Sequence, residues 1–190
     1  MYDIEIGKAC QIQGWMEADE LMWLAVQATL HKNICEIGSW VGRSTRALVD
    51  NTSGTVLAVD TWMGSPGEVV HSTIDSKTLF SLFTANMEGL PEGRLTTYKG
   101  YSLDAAKFYK DSKFDMIFID ASHDYDSVKA DIQAWFPLLE AGGLMCGHDY
   151  HAAWPGVVEA VNEIFPRHSL CGNSIWAVKN TLEGVNERSS

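Results

Sequence analysis

The sequence predicts an α/β protein, a doubly wound and mostly parallel sheet with helices on both faces. Three observations carry this. Four short apolar runs, "NICEIG" (33–38), "TVLAVD" (55–60), "FDMIFID" (114–120) and "GGLMCGHD" (142–149), each end in turn residues or an acid. Runs apolar on both faces mark parallel strands covered by helices on either side. Segments with helical periodicity fall between them, and strand alternating with helix is the doubly wound pattern.

Residues 16–30 come first, with Leu21, Leu24, Ala25 and Ala28 at the spacing of an amphipathic helix. Glu17, Asp19 and Glu20 suit its N-terminal turn. After the first two strands, "DSKTLFSLFTANMEGLP" offers Asp75 or Ser76 as a cap and Leu79, Phe80, Leu82, Phe83 and Met87 as an apolar set, with Gly89 and Pro91 as a stop. A weaker strand, "RLTTYKG" (94–100), precedes the third run. "YDSVKADIQAWFPLLEAGG" aligns Val128, Ile132, Trp135 and Leu139 on one helical face. "WPGVVEAVNEIFP" places Pro155 in a first turn, where its missing N–H costs nothing. "NSIWAVK" (173–179) adds an edge strand, and 180–190 reads as a loose tail. With 1–13 as an N-terminal arm, 190 residues make one domain.

A formal charge of −11, with 14 Lys and Arg scattered through the chain, disfavours nucleic acid and anionic membrane surfaces as partners. The four cysteines, Cys10, Cys35, Cys146 and Cys171, never form a C-x-x-C pair and read as small core side chains in a reducing compartment. The acidic start "MYDIEIGKAC" is no signal peptide, and no apolar window is long enough to span a bilayer. The expectation is a cytoplasmic protein.

In an open parallel sheet, ligands bind at the carboxyl ends of the strands, where strand order reverses. "EIGSWVGRST" occupies that point, with a glycine at each end of a short turn. A dinucleotide site needs G-x-G-x-x-G so that a pyrophosphate can approach the backbone. Here Ser39 and Trp40 stand where the second glycine and its neighbour belong, and an indole beside a diphosphate is a poor fit. Asp60 follows Gly38 by 60 − 38 = 22 residues, the spacing of a carboxylate that accepts from ribose hydroxyls. A nucleoside without a pyrophosphate is therefore expected, and S-adenosylmethionine meets that description.

With these residues the chain resembles the class I S-adenosylmethionine-dependent methyltransferases, through Glu36-x-Gly38-x-x-x-Gly42, Asp60 and "FIDASHDY", over roughly 14–179. The resemblance implies a Rossmann-like sheet of seven strands, one of them antiparallel. It also implies that Glu36 and Gly38 bound the methionine pocket and that Ser102 lies near the adenine. Ser39, Gly42 and Asp120 complete the expected cofactor contacts. Trp62, in the loop "TWMGSPGEVVHSTI", is placed to stack on adenine, to cover the acceptor, or to fill a gap beside the sheet.

A second constellation ends two neighbouring strands. Adjacent strands lie about 4.8 Å apart, so Asp120 and Asp149 can share one cation although 149 − 120 = 29 residues separate them. Carboxylates are hard ligands and favour Mg²⁺, with Mn²⁺ tolerated. His123 is a candidate general base, since an imidazole titrating at roughly 6.5 suits proton uptake at neutral pH. This stretch is similar to metal-dependent sugar O-methyltransferases, and the similarity implies an Asp metal ligand, a His base three residues on, and an acidic pair after the next strand. The pair here is His148-Asp149, which makes His148 a candidate third ligand. Asp120 as a helix cap and His123 and His148 as hydrogen-bonded loop residues are the plain alternatives. Trp154, Tyr125 and Tyr150 near the pocket mouth suit a sugar ring or a phenol.

The expected function is methyl transfer from S-adenosylmethionine to an oxygen of a small-molecule acceptor, by a chain that is a monomer or a homo-oligomer. An NAD-dependent oxidoreductase and a non-catalytic S-adenosylmethionine-binding module are the competing readings.

Overall fold

The computed structural model describes residues 3–64 and 76–181. The elements follow in chain order: α1 (Gly7–Gln11), α2 (Ala18–Leu30), β1 (Asn33–Ile37), α3 (Arg43–Asn51), β2 (Thr55–Asp60), α4 (Ser76–Asn86), β3 (Leu95–Lys99) and α5 (Ser102–Phe108). After them come β4 (Phe114–Ile119), α6 (Tyr125–Trp135), a 3₁₀ turn (Phe136–Leu138), β5 (Leu139–Gly147), α7 (Pro155–Ile164), β6 (Ser169–Cys171) and β7 (Ile175–Lys179). Among the described residues the strands form one seven-stranded sheet in the order β3-β2-β1-β4-β5-β7-β6. The first five are parallel, β7 runs antiparallel to β5, and β6 pairs antiparallel to β7.

Strand order reverses between β1 and β4, whose interior positions are buried on both faces, as their unbroken apolar runs predict. One layer of helices covers Val128, Ile132, Trp135, Val157 and Val161 against the sheet. The other buries Leu21, Leu24 and Ala28 of α2 with Ala47 and Leu48 of α3. Helix α2 opens on a capping box in which Glu17 and Glu20 each bond the other's backbone N–H.

Several boundaries differ from the sequence reading. The run 173–179 is not an edge strand, because the short β6 pairs along its outer side. Leu139 leaves the helical face and opens β5, because Pro137 in the 3₁₀ turn ends the helical ladder first. Leu82 faces solvent on α4, which buries Leu79 and Phe83 instead. Helices α1 and α5 and strand β6 were not foreseen, and α1 lies within the expected arm. Asp75 as a cap, the loop 65–75 and most of the tail, 182–190, lie outside the described residues. All four cysteines are free: Cys35 and Cys146 are buried, Cys171 is half-buried, and Cys10 is exposed rather than in the core. No described helix is long and apolar enough to cross a membrane.

Two side chains of α3 hold the N-terminal segment: Asn51 bonds the backbone of Glu5 in both directions, and Arg43 holds residues 9–16. Arg43, at the start of α3, donates from Nε to Met16 O at 2.9 Å and from one terminal nitrogen toward the carbonyls of Ala9, Cys10 and Ile12 at 3.3, 3.1 and 2.6 Å. Hydrogen bonds from a charged donor contribute about 1.5–3 kcal/mol each when net favourable. Arg43→Ala is expected to raise local amide exchange across 9–16 at least tenfold, read by hydrogen–deuterium exchange, with the β1 and β4 amides unchanged.

Candidate active site

Four backbone hydrogen bonds carry the ladder one residue beyond the strands. Gly38 N donates to Val59 O (2.9 Å), Asp120 N to Ile37 O (2.8 Å), His148 N to Ile119 O (3.0 Å) and Gly100 N to Asp60 O (2.9 Å). The residues that end each apolar run are thereby fixed in one row at the carboxyl edge, over the switch point. A cleft of about 1030 Å³ opens above them, lined by Gly38, Asp60, Ser102, Asp120, His123 and Asp149 among others.

The glycine turn is built tightly. Gly38 has φ +88°, and a Cβ there would lie 1.9 Å from the Asp120 carbonyl oxygen. Asp60 Oδ2 accepts from Ser39 N at 2.9 Å and Trp40 N at 2.8 Å, and its Oδ1 accepts from Trp62 N at 2.6 Å. Three of a carboxylate's roughly four lone-pair sites thus hold the turn, and about one remains for a ligand. Trp40 adopts φ +41° and packs its ring 4.6 Å from that of Trp15, so two indoles border the cleft.

Two residues of the expected cofactor set stand behind the turn. Glu36 is fully buried below it, where Oε2 accepts from Ser39 Oγ at 2.7 Å and from the Thr45 hydroxyl, while Oε1 has no hydrogen-bond partner among the described residues. Its carboxylate supports the floor and does not line the cleft. Gly42, at φ +93°, turns the chain into α3 and faces Met87 and Phe83, away from the cleft.

Of the three roles open to Trp62, the structure takes the third, a ring filling the space beside the sheet, and removes Trp62 from the expected cofactor contacts. It is 1% exposed, packs with Phe80 and Phe83, and donates from Nε1 to Trp40 O at 2.6 Å. Asp60 turns its backbone inward, so a large apolar ring follows it into the core. Tyr125 and Tyr150 are not at the mouth either, since their hydroxyls bond Glu163 and Asn162 on α7. Trp154 is, with its ring 4.0 Å from that of His123 in a stacked arrangement. Ser102 lines the far end and accepts from Trp135 Nε1 at 2.8 Å. Beside it lies the buried Asp131, whose pKa burial raises to about 6.

The acids and imidazoles of the second constellation do converge. His123 Nε2 and Asp149 Oδ2 are 2.9 Å apart. His148 Nδ1 lies 3.3 Å from Asp149 Oδ1 and 3.8 Å from Asp120 Oδ1. One ligand atom each from Asp120, His123 and Asp149 fits within 4.8 Å. Asp149 sits at φ +63°, in the left-handed region that aspartate enters more readily than most non-glycine residues. Burial pushes the Asp120 pKa up, with the Asp149 and Glu36 charges adding to the effect and the two imidazoles opposing it. Burial acts against His148 as a cation, yet Asp120, Asp149 and Glu20 outweigh it and raise its pKa to about 11. The imidazoles in turn hold Asp149 well below the usual carboxylate range against the effect of burial. Asp120 is no helix cap: Asp124 caps α6 by accepting from Ser127 N at 3.0 Å.

A family model described as a methyltransferase domain matches residues 35–150, from β1 to just past Asp149. The chain belongs to the methyltransferase domain family. An uncharacterised protein, y4gI, of Sinorhizobium fredii is 28% identical over 181 residues, covering 86% of this methyltransferase, which spans only 19% of that relative's length. Among solved structures, an O-methyltransferase from Bacillus cereus in complex with SAH superposes with a TM-score of 0.62 at 18% identity, covering 92% of this chain and 90% of that one. A TDP-rhamnose 3'-O-methyltransferase of calicheamicin biosynthesis superposes at 0.61 with 15% identity, covering 84% and 76%. These likenesses show a shared fold.

Two buried acids of the chain escaped the sequence reading. Asp131 falls inside a helix with no motif around it, and Glu20 is disguised as an ordinary capping-box acid. Glu36, recognised by its motif, carries a measurable consequence. Burial raises its pKa from 4.5 to about 7, against the opposing hydrogen bonds of Ser44, Thr45 and Ser39. The raised value means that the folded state keeps the proton longer than the unfolded chain does, so the contribution of Glu36 to stability is full below about pH 4.5 and is lost as pH rises to about 7. Glu36→Gln is expected to raise stability at pH 8 relative to pH 5, by up to about 3 kcal/mol in urea unfolding.

Proposed function

We propose that this methyltransferase moves the methyl group of S-adenosylmethionine to a hydroxyl oxygen of a small-molecule acceptor. The observation that carries the reading is one cleft with a Gly38–Asp60 turn at one side and a His123–Asp149 pair at the other. The remaining acceptor capacity of Asp60 suits a ribose hydroxyl, while the Trp40 indole bordering the turn is a poor neighbour for a diphosphate. An NAD-dependent oxidoreductase is disfavoured for that reason.

In the proposed reaction His123 takes the acceptor hydroxyl proton at Nδ1. Its Nε2–H stays on Asp149, whose negative charge stabilises the imidazolium that forms. The acceptor oxygen forms its bond to the methyl carbon as the carbon–sulfur bond breaks, and the electron pair returns to sulfur to leave S-adenosylhomocysteine. Trp154 against the His123 ring offers an apolar face for the acceptor, which supports a sugar or phenol. Asp120, Asp149 and His123 bring one ligand atom each within 4.8 Å, and His148 Nδ1 lies 3.3 and 3.8 Å from the same two carboxylates; the two acids fit a divalent cation, and Asp120, Asp149 and His148 would hold it. When bound, such an ion supplies Lewis acidity that lowers the acceptor's pKa.

Thermal shift and calorimetry test the reading: S-adenosylhomocysteine is expected to stabilise the protein and NAD to leave it unchanged, and the reverse result refutes it. Asp60→Ala is expected to weaken S-adenosylhomocysteine at least 100-fold, and retained affinity contradicts its ribose role. His123→Ala is expected to lower kcat by about 10²–10⁴ and remove the acid limb of the pH–rate profile, with cofactor affinity within about threefold of wild type.

A further inference from the structure

Methyl transfer as proposed makes no use of Glu20. This carboxylate lies on α2, 2% exposed, and no apolar packing explains a charge at that depth. Burying it is costly unless every oxygen is satisfied. Four donors do so: Oε1 accepts from Ser174 N at 3.0 Å and Ser174 Oγ at 2.8 Å, while Oε2 accepts from Glu17 N at 3.1 Å and His148 Nε2 at 3.0 Å. Glu20 thus fixes the ring plane of His148 and commits Nε2 to carrying a proton. The other nitrogen, Nδ1, is turned toward Asp149 and Asp120.

The spacing at Nδ1 is informative. A charge-assisted N–H···O⁻ bond is about 2.7–2.9 Å long, and both contacts of Nδ1 are longer, 3.3 Å to Asp149 and 3.8 Å to Asp120. Ligand atoms each about 2.1 Å from a common ion stand about 3.0–3.4 Å from one another. Nδ1 and Asp149 Oδ1 have that separation, and Asp120 Oδ1 is a few tenths of an ångström farther. A histidine that donates its second ring N–H to a buried carboxylate is also the usual support for a metal-ligating imidazole.

We propose that Glu20 is the outer partner that makes His148 a metal ligand, and that Asp120, Asp149 and His148 Nδ1 together take a first-row transition ion such as Mn²⁺ or Fe²⁺ in preference to Mg²⁺. The inference rests on the metal-assisted reading above and adds the nitrogen donor, which softens an otherwise all-oxygen site. The ion replaces the proton that Nδ1 carries in its absence.

Metal-stripped full-length protein titrated with Mn²⁺, followed by electron paramagnetic resonance and spin-echo modulation, tests it. The expected result is bound Mn²⁺ with a ¹⁴N coupling that survives His123→Gln and disappears in His148→Gln, and displacement only by at least about tenfold more Mg²⁺ than Mn²⁺. Glu20→Gln is expected to weaken Mn²⁺ 10- to 100-fold, with S-adenosylhomocysteine affinity, the control for folding, within about twofold of wild type. Mn²⁺ bound without ¹⁴N coupling, a coupling lost in His123→Gln, or displacement by equimolar Mg²⁺ overturns the inference and leaves metal assistance standing. Absence of Mn²⁺ binding by wild type that still binds S-adenosylhomocysteine overturns both, and leaves the methyltransferase reading intact.

Discussion

At the carboxyl edge of β1 the backbone of Gly38 runs so near the carbonyl of Asp120 that no side chain fits between them. This close approach joins the two halves of the site. It brings the end of β1 against the end of β4 at the point where strand order reverses, and it holds the cofactor turn and the acid–imidazole cluster in one rigid row. Asp60 then gathers the amides of Ser39, Trp40 and Trp62 around a single carboxylate, so the shape of the turn depends on the same group that is proposed to take a sugar hydroxyl.

The opposite wall is held by charge rather than by backbone. Glu20 from α2, Ser174 from the β6–β7 turn and His148 from the end of β5 form a buried polar network that faces Asp149 and Asp120. Such a network is costly when partly satisfied and rigid when complete. Here each oxygen of Glu20 has two donors, and α2 therefore positions His148 as well as covering the sheet. The matched family segment, 35–150, contains His148 and Asp149 but neither Glu20 nor Ser174.

The central strands and most helices were legible because burial on both faces and helical periodicity leave strong patterns. The three-residue β6 left none, and its pairing turned a supposed edge strand into an interior one. Asp60, Asp120 and Asp149 were legible because each closes an apolar run, with His123 three residues past Asp120, and the sheet carries such positions to a common edge. Sequence left three roles open for Trp62, because loop composition does not tell an exposed ring from a buried one; packing on Phe80 and Phe83 selects the gap-filling role. Glu20 was illegible for a different reason: its partner is 128 residues away, and no local pattern encodes that meeting.

The left-handed backbone at Asp149 restricts which residues can occupy that position. A left-handed residue is comfortable as glycine and tolerable as asparagine or aspartate, whereas longer or branched side chains are strained there. The reaction proposed above meanwhile asks for a short anion that can face two imidazoles at once. The two alphabets share only aspartate. Drift at this position therefore has nowhere neutral to go, and asparagine, which keeps the bend while erasing the charge, is the nearest dead end.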